Sequence, residues 1–227
     1  MNSTELRDLV VAWLGLSFAF AAALGNFSAI DLAGKGFNIA GFVFALIVSL
    51  VVVGTAFVFH ELMHRFTARH FSYHAEFRLW PYGLILAIFL ALLLGVVFAA
   101  PGAVYIGERK FKGRKVVHEE SGQESYEFED FSEEKAWNEF GLISVAGPLT
   151  NIVLGFAFLG GALIFALNPI LFTISLMGFS INMFLALFNL IPFGPLDGAK
   201  VFVWNKLVWA ILFIPLLLWF FGFFSFM

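Results

Sequence analysis

Long apolar runs separated by short polar breaks occupy most of this 227-residue chain. A helix needs about 20 predominantly apolar residues to cross a bilayer. Runs near that length lie at 9–24, 39–64, 82–100, 140–167, 170–192 and 207–226. Residues 1–8 are polar, and the run after them has no basic n-region and no clear cleavage site, so 9–24 reads as a retained span rather than a signal peptide. A polar stretch with Arg65, Arg69, His70, His74, Glu76 and Arg78 separates the second and third runs. The long hydrophilic region, 107–139, separates the third and fourth; it is basic from Arg109 to Lys115 and acidic from Glu119 to Glu134. No internal repeat is visible. The pattern predicts an all-α polytopic membrane protein, a single membrane-embedded domain over 1–227 with five or six transmembrane helices.

Composition agrees. The chain is 61% hydrophobic and 13% charged, with a mean hydropathy of +0.92, where soluble domains run near ~45–50% apolar and ~25% charged. The lipid bilayer is therefore its solvent. The net charge of −3 says little because the charges are local, and no basic face suits nucleic acid. There is no cysteine, so disulfides and thiolate ligands are excluded and any metal must be held by His, Asp or Glu.

Charge orients the runs. Lys and Arg cluster at 65–78, at 109–115 and at Lys200 and Lys206, whereas the 26–38 loop has Lys35 alone and the connection near Asn168 has none. The positive-inside rule then puts the end of the 39–64 helix and the 107–139 loop on the cytoplasmic side. The run 82–100 has basic flanks at both ends, and its apolar character continues to Ile106. Two helical crossings need roughly 40 residues, so a re-entrant hairpin, shielded by neighbouring helices or lining a cavity, fits this segment. An ordinary sixth span is the alternative.

The candidate chemistry lies at the end of the second run, where His60, Glu61, Leu62, Met63 and His64 form an HExxH motif. Ionisable groups at the end of a membrane-length helix are costly and call for a function. On a helix, positions i and i+4 differ by about 40°, so His60 and His64 face one way, a turn apart, and two neutral imidazoles there suit one zinc ion. Glu61, beside the pair, suits a general base acting on water. Catalytic zinc takes about three protein ligands. Acids are scarce in the apolar runs, and Asp197 stands out in Asn189-Leu-Ile-Pro192-Phe-Gly-Pro195-Leu-Asp197-Gly198, where two prolines break helix and Gly198 permits close approach. A plain Pro-Leu-Asp-Gly turn is the competing reading. With 82–106 re-entrant, 140–167 and 170–192 form an out-and-back pair that returns Asp197 to the side of the histidines. If 82–100 were a true span, Asp197 would face the opposite side.

HELMH in a membrane helix, followed by Ala146-Gly147-Pro148-Leu149-Thr150-Asn151 and by Asn-x-x-Pro-x-x-Pro-x-Asp-Gly at 189–198, resembles the site-2 protease family of intramembrane zinc metalloproteases. The resemblance covers roughly 39–200. It implies one zinc ion held by His60, His64 and Asp197, with Glu61 as catalytic base and Asn189 positioning substrate or stabilising the oxyanion. It also implies a catalytic core over 39–198, with spans at 39–64, 140–167 and 170–198, and strands or a β-hairpin after the motif helix. The region 107–139 is too short for a PDZ insertion, as in the compact members of archaea and bacteria. Expected substrates are transmembrane proteins, cleaved in regulated intramembrane proteolysis at a multi-pass cell-membrane site toward the cytoplasm. A membrane metal carrier or an inactive zinc-stabilised scaffold is the alternative function. Three further features take structural readings. Asn151, with Gly147 and Gly155, reads chiefly as a small-residue packing stripe. His70 and His74 read as surface residues and His118 as solvated. The acidic run reads as a solvated loop.

Overall fold

In the computed structural model, residues 1–35, 38–109, 113–117, 124–128 and 133–225 are described. The chain is mostly helical. Helix α1 (Ser3–Leu24) is capped by the Asn2 side chain and followed by the short α2 (Ala29–Lys35). Helix α3 (Ile39–Val53) runs through a π turn (Gly54–Val58) into α4 (Phe59–His70), giving one apolar helix of 32 residues that carries the HExxH motif near its end. Strand β1 (Tyr73–Leu79) follows, then α5 (Pro81–Leu94) and β2 (Gly102–Arg109). Strands β3 (Gly113–Val117) and β4 (Glu124–Phe128) precede the long α6 (Glu133–Ile164). The chain ends with α7 (Pro169–Asn189), α8 (Asp197–Trp204) and α9 (Lys206–Ser225).

Four stretches among the described residues are long and apolar enough to cross a membrane: Ser3–Ala33, Ile39–His70, Glu133–Ile164 and Pro169–Asn189. Two shorter apolar helices, Pro81–Leu94 and Lys206–Gly222, accompany them. The 82–100 run therefore does not fold as a span-length helix. The 14 residues of α5 rise about 21 Å at 1.5 Å per residue, short of a hydrocarbon core about 30 Å thick. Gly95 ends the helix in a left-handed conformation (φ 70°), and the chain returns to β2. Strands β1 and β2 pair antiparallel, with Leu79 opposite Gly102, and the Trp80 amide donates to the Pro101 carbonyl at 2.8 Å. The excursion thus begins and ends at one place.

Strands β1 and β2 follow the motif helix, where the family resemblance implies strands, and β3 and β4 add to the all-α expectation. Strand β1 alternates inward Tyr73, Ala75 and Phe77 with outward His74, Glu76 and Arg78, the two-residue period of a half-buried strand. Part of the hydrophilic region expected as loop pairs as β3 with β4, and α6 starts at Glu133, seven residues before the apolar run, with Glu133 and Glu134 at its positive end. His118, Glu119, Glu120, Glu129 and Asp130 lie outside the described residues. His70 and His74 are exposed, as expected. The largest core cluster joins α1, α3, the π turn, β1, α5 and α7 around Leu16, Val52, Phe57, Phe77, Ile181 and Leu185. A second packs α7 against α9.

Candidate active site

The two motif histidines are set by what each holds behind it. The His64 Nδ1–H donates to the Ile143 carbonyl of α6 at 2.7 Å, and the His60 Nδ1–H donates to Asn151 Oδ1. Fixing both Nδ1 atoms as donors leaves both Nε2 lone pairs free to face a common point. The two Nε2 atoms stand 3.0 Å apart, and Asp197 Oδ2 lies 2.9 Å from His64 Nε2 and 3.3 Å from His60 Nε2. These distances are close to the edges of a tetrahedron of ligands, about 3.3 Å for bonds near 2.0–2.1 Å. His60, His64 and Asp197 are accordingly a group able to hold a metal ion, and their N₂O donor set suits zinc.

Asp197 reaches this point because α7 stops. Pro192 and Pro195 interrupt the backbone after Asn189, Gly194 takes a left-handed turn (φ 64°), and α8 restarts at Asp197. A Cβ on Gly198 would lie 2.2 Å from the Leu190 carbonyl, so the close approach read from Gly198 is real. Lys200, one turn on, sits 3.6 Å from Asp197 Oδ1.

Glu61 is buried (7% exposed), and its Oε2 has no hydrogen-bond partner among the described residues. Native proteins rarely leave a buried carboxylate oxygen unpaired. Here it lines the same cavity as the three ligand candidates, which fits a site built for a further polar group. That cavity, about 310 Å³, is lined by residues of α4, α6, the 189–200 segment and Gly102 to Ile106 of β2. Asn189 also lines it; its side-chain nitrogen donates to the Leu185 carbonyl at 3.0 Å, which leaves one N–H of the amide for another acceptor.

The packing reading of Asn151 is incomplete. Its side chain is fully buried, accepts from His60, and donates to the Ala56 carbonyl in the π turn at 3.0 Å and to Asn182 Oδ1 at 3.1 Å. Asn182 in turn donates to the Gly178 carbonyl. Sequence reasoning missed Asn182 and the Ile143 carbonyl altogether. A buried asparagine in an apolar helix was the available signal for Asn182; nothing marks one backbone carbonyl among many. Replacing Asn151 with Ala is expected to weaken zinc affinity about 10- to 100-fold, the usual cost of losing such a supporting partner. Titration with a competing chelator measures it.

No family model and no solved structure matches the chain. A protein of Methanocaldococcus jannaschii named "putative zinc metalloprotease" is 39% identical over 216 residues, covering 95% of this chain and 92% of the relative. At that identity over nearly the whole of both proteins, the chain belongs to the same family of zinc metalloproteases.

Proposed function

We propose that this protein is an intramembrane zinc metalloprotease of the site-2 type, acting on transmembrane protein substrates. One observation carries the proposal: two imidazole nitrogens, a carboxylate and a buried glutamate with an unpaired oxygen meet in one cavity near the end of a 32-residue apolar helix. His60, His64 and Asp197 are the zinc ligands in this reading. Zinc, when held there, polarises the scissile carbonyl and makes water acidic enough to lose a proton near neutral pH. Glu61 takes that proton and hands it to the leaving amine. Asn189 positions the substrate carbonyl with its remaining N–H.

A transmembrane helix hides its peptide bonds in internal hydrogen bonds, so the substrate must reach the ligands extended. The β2 edge supports such a route. Among the described residues β2 pairs with β1 alone. Trp80 bonds across to Pro101, so by antiparallel alternation Gly102 and Val104 turn their backbone groups away from β1, on the strand that walls the cavity. A substrate strand added there gains main-chain hydrogen bonds and lies against Glu61. The short α5 and its return support a re-entrant segment, and the basic clusters support a site toward the cytoplasm of a multi-pass cell-membrane protein.

The purified protein in detergent should cleave a transmembrane peptide, lose that activity to a chelator and regain it with zinc. His64→Ala and Asp197→Ala should each lose the stoichiometric ion. A metal carrier built on the same ligands has no use for Glu61. Zinc movement across vesicles by the wild-type protein, without cleavage, would decide for the carrier.

A further inference from the structure

Strand β1 has a second edge, opposite β2, and polar side chains from two helices occupy it. Glu5 Oε1 on α1 accepts from the Phe77 amide at 3.4 Å, and Asp8 Oδ2, one turn along the same helix face, accepts from the Leu79 amide at 3.5 Å. Arg69 of α4 donates to the Ala75 carbonyl at 3.4 Å, and beside them Asn2 donates to the Glu76 side-chain carboxylate at 3.0 Å. Phe77 and Leu79 are the residues whose amides alternation turns away from β2. An open sheet edge is a template for any extended chain, and here side chains fill the outer one.

Glu5 is the hub of this arrangement. It is 1% exposed, and Arg65, the residue after His64, places its Nε 2.7 Å from Glu5 Oε1. The contact is off the line of a hydrogen bond. Glu5 Oε2, Arg65 Nε and Arg65 Nη2 are all buried without a hydrogen-bond partner among the described residues. A buried ion pair so poorly satisfied is a weak source of stability, and apolar residues of similar volume commonly serve as well or better. What the pair does supply is a fixed relation among α1, the motif helix and β1.

We infer that Glu5 and Arg65 are positioning residues for the substrate: with Asp8 and Arg69 they close the outer edge of β1 and hold the sheet so that its receptive edge is that of β2, on the metal-binding cavity. The inference rests on the proposed function, and the ligand is an extended segment of a transmembrane protein.

The chain has no cysteine, so a single one can be introduced without background. Tyr105 of β2 is 67% exposed and lines the cavity. In full-length Tyr105→Cys carrying Glu61→Gln to prevent cleavage, a synthetic transmembrane peptide whose one cysteine is activated as a thiopyridyl mixed disulfide should be trapped by thiol–disulfide exchange, the introduced thiolate displacing thiopyridine. Adding Glu5→Leu and Arg65→Met replaces the ion pair with apolar side chains of similar volume, an exchange buried ion pairs commonly tolerate. It should speed hydrogen exchange at the Phe77 amide and lower trapping about tenfold, with zinc content unchanged. With Glu61 and Tyr105 intact, Glu5→Leu together with Arg65→Met should raise KM about tenfold and leave kcat within about twofold. Unchanged trapping or unchanged Phe77 exchange overturns the inference. Loss of zinc together with trapping also overturns it, because the pair then merely supports the fold. Trapping without hydrolysis in the Glu61-containing protein rejects the protease reading and leaves this inference standing. No trapping in the chain with Glu5 and Arg65 intact rejects the β2 route and this inference with it.

Discussion

Glu61→Gln is expected to abolish measurable peptide hydrolysis while each chain keeps its zinc ion. Glutamine has the size and shape of glutamate and still lacks a basic carboxylate, so the substitution removes the proton acceptor and little else. General acid–base groups contribute about 10²–10⁴-fold, and a residue serving as both base and acid stands at the upper end. The expected loss in kcat is therefore about 10⁴-fold, with KM little changed because no binding contact is removed. Zinc should remain because the three atoms that converge belong to His60, His64 and Asp197. Stability should hold or rise, since the variant exchanges a buried carboxylate with an unpaired oxygen for a neutral amide. Single-turnover hydrolysis, metal analysis and a melting curve on one preparation report all three. Hydrolysis within tenfold of wild type would remove Glu61 from the mechanism. Loss of the ion would make it a structural support instead.

The parts of this site that the sequence discloses are those fixed by local geometry. HExxH is legible because a helix converts a four-residue spacing into a shared face, and the imidazoles do meet, 3.0 Å apart. Asp197 lies 133 residues beyond His64, so no spacing rule reaches it; charge and the count of crossings placed it on the same side, and the Asp197–His64 distance of 2.9 Å agrees. Asn151 is a residue whose role its own neighbourhood in the sequence does not specify. A small or polar residue among glycines on an apolar helix has one signature whether it packs or holds a ligand, and the difference is a partner 91 residues away. The β1 strand is expected from the family resemblance and not from its own period. Its alternation is plain in Tyr73, Ala75 and Phe77, but four basic or histidine residues in 65–74 draw attention to charge rather than to period. The return of 95–101 to β2 needs a pairing between Leu79 and Gly102 that no local signal specifies.

Gly147→Ala tests the site from the side of α6. A Cβ at Gly147 would lie 2.3 Å from His64 Nε2 and 2.6 Å from His60 Nε2, far inside van der Waals contact and against the two atoms that would bind zinc. Neither ring can retreat freely, because the Ile143 carbonyl and Asn151 hold their other nitrogens. Helix propensity alone forecasts the opposite result, since Ala is favoured over Gly in a helix interior by about 1 kcal/mol. The two effects thus separate in measurement. Gly147→Ala should keep helical content and melting temperature near wild type while zinc affinity falls at least about 100-fold, a loss of roughly 2.7 kcal/mol. Hydrolysis should fall with occupancy, and Gly147→Val should hold no zinc. Gly160, on the same helix, is the control: nothing lies within 4 Å of a Cβ there, so Gly160→Ala should bind zinc and cleave as wild type does. Wild-type zinc affinity in Gly147→Ala would show that the imidazoles have room to move, and that α6 approaches the ligands without constraining them.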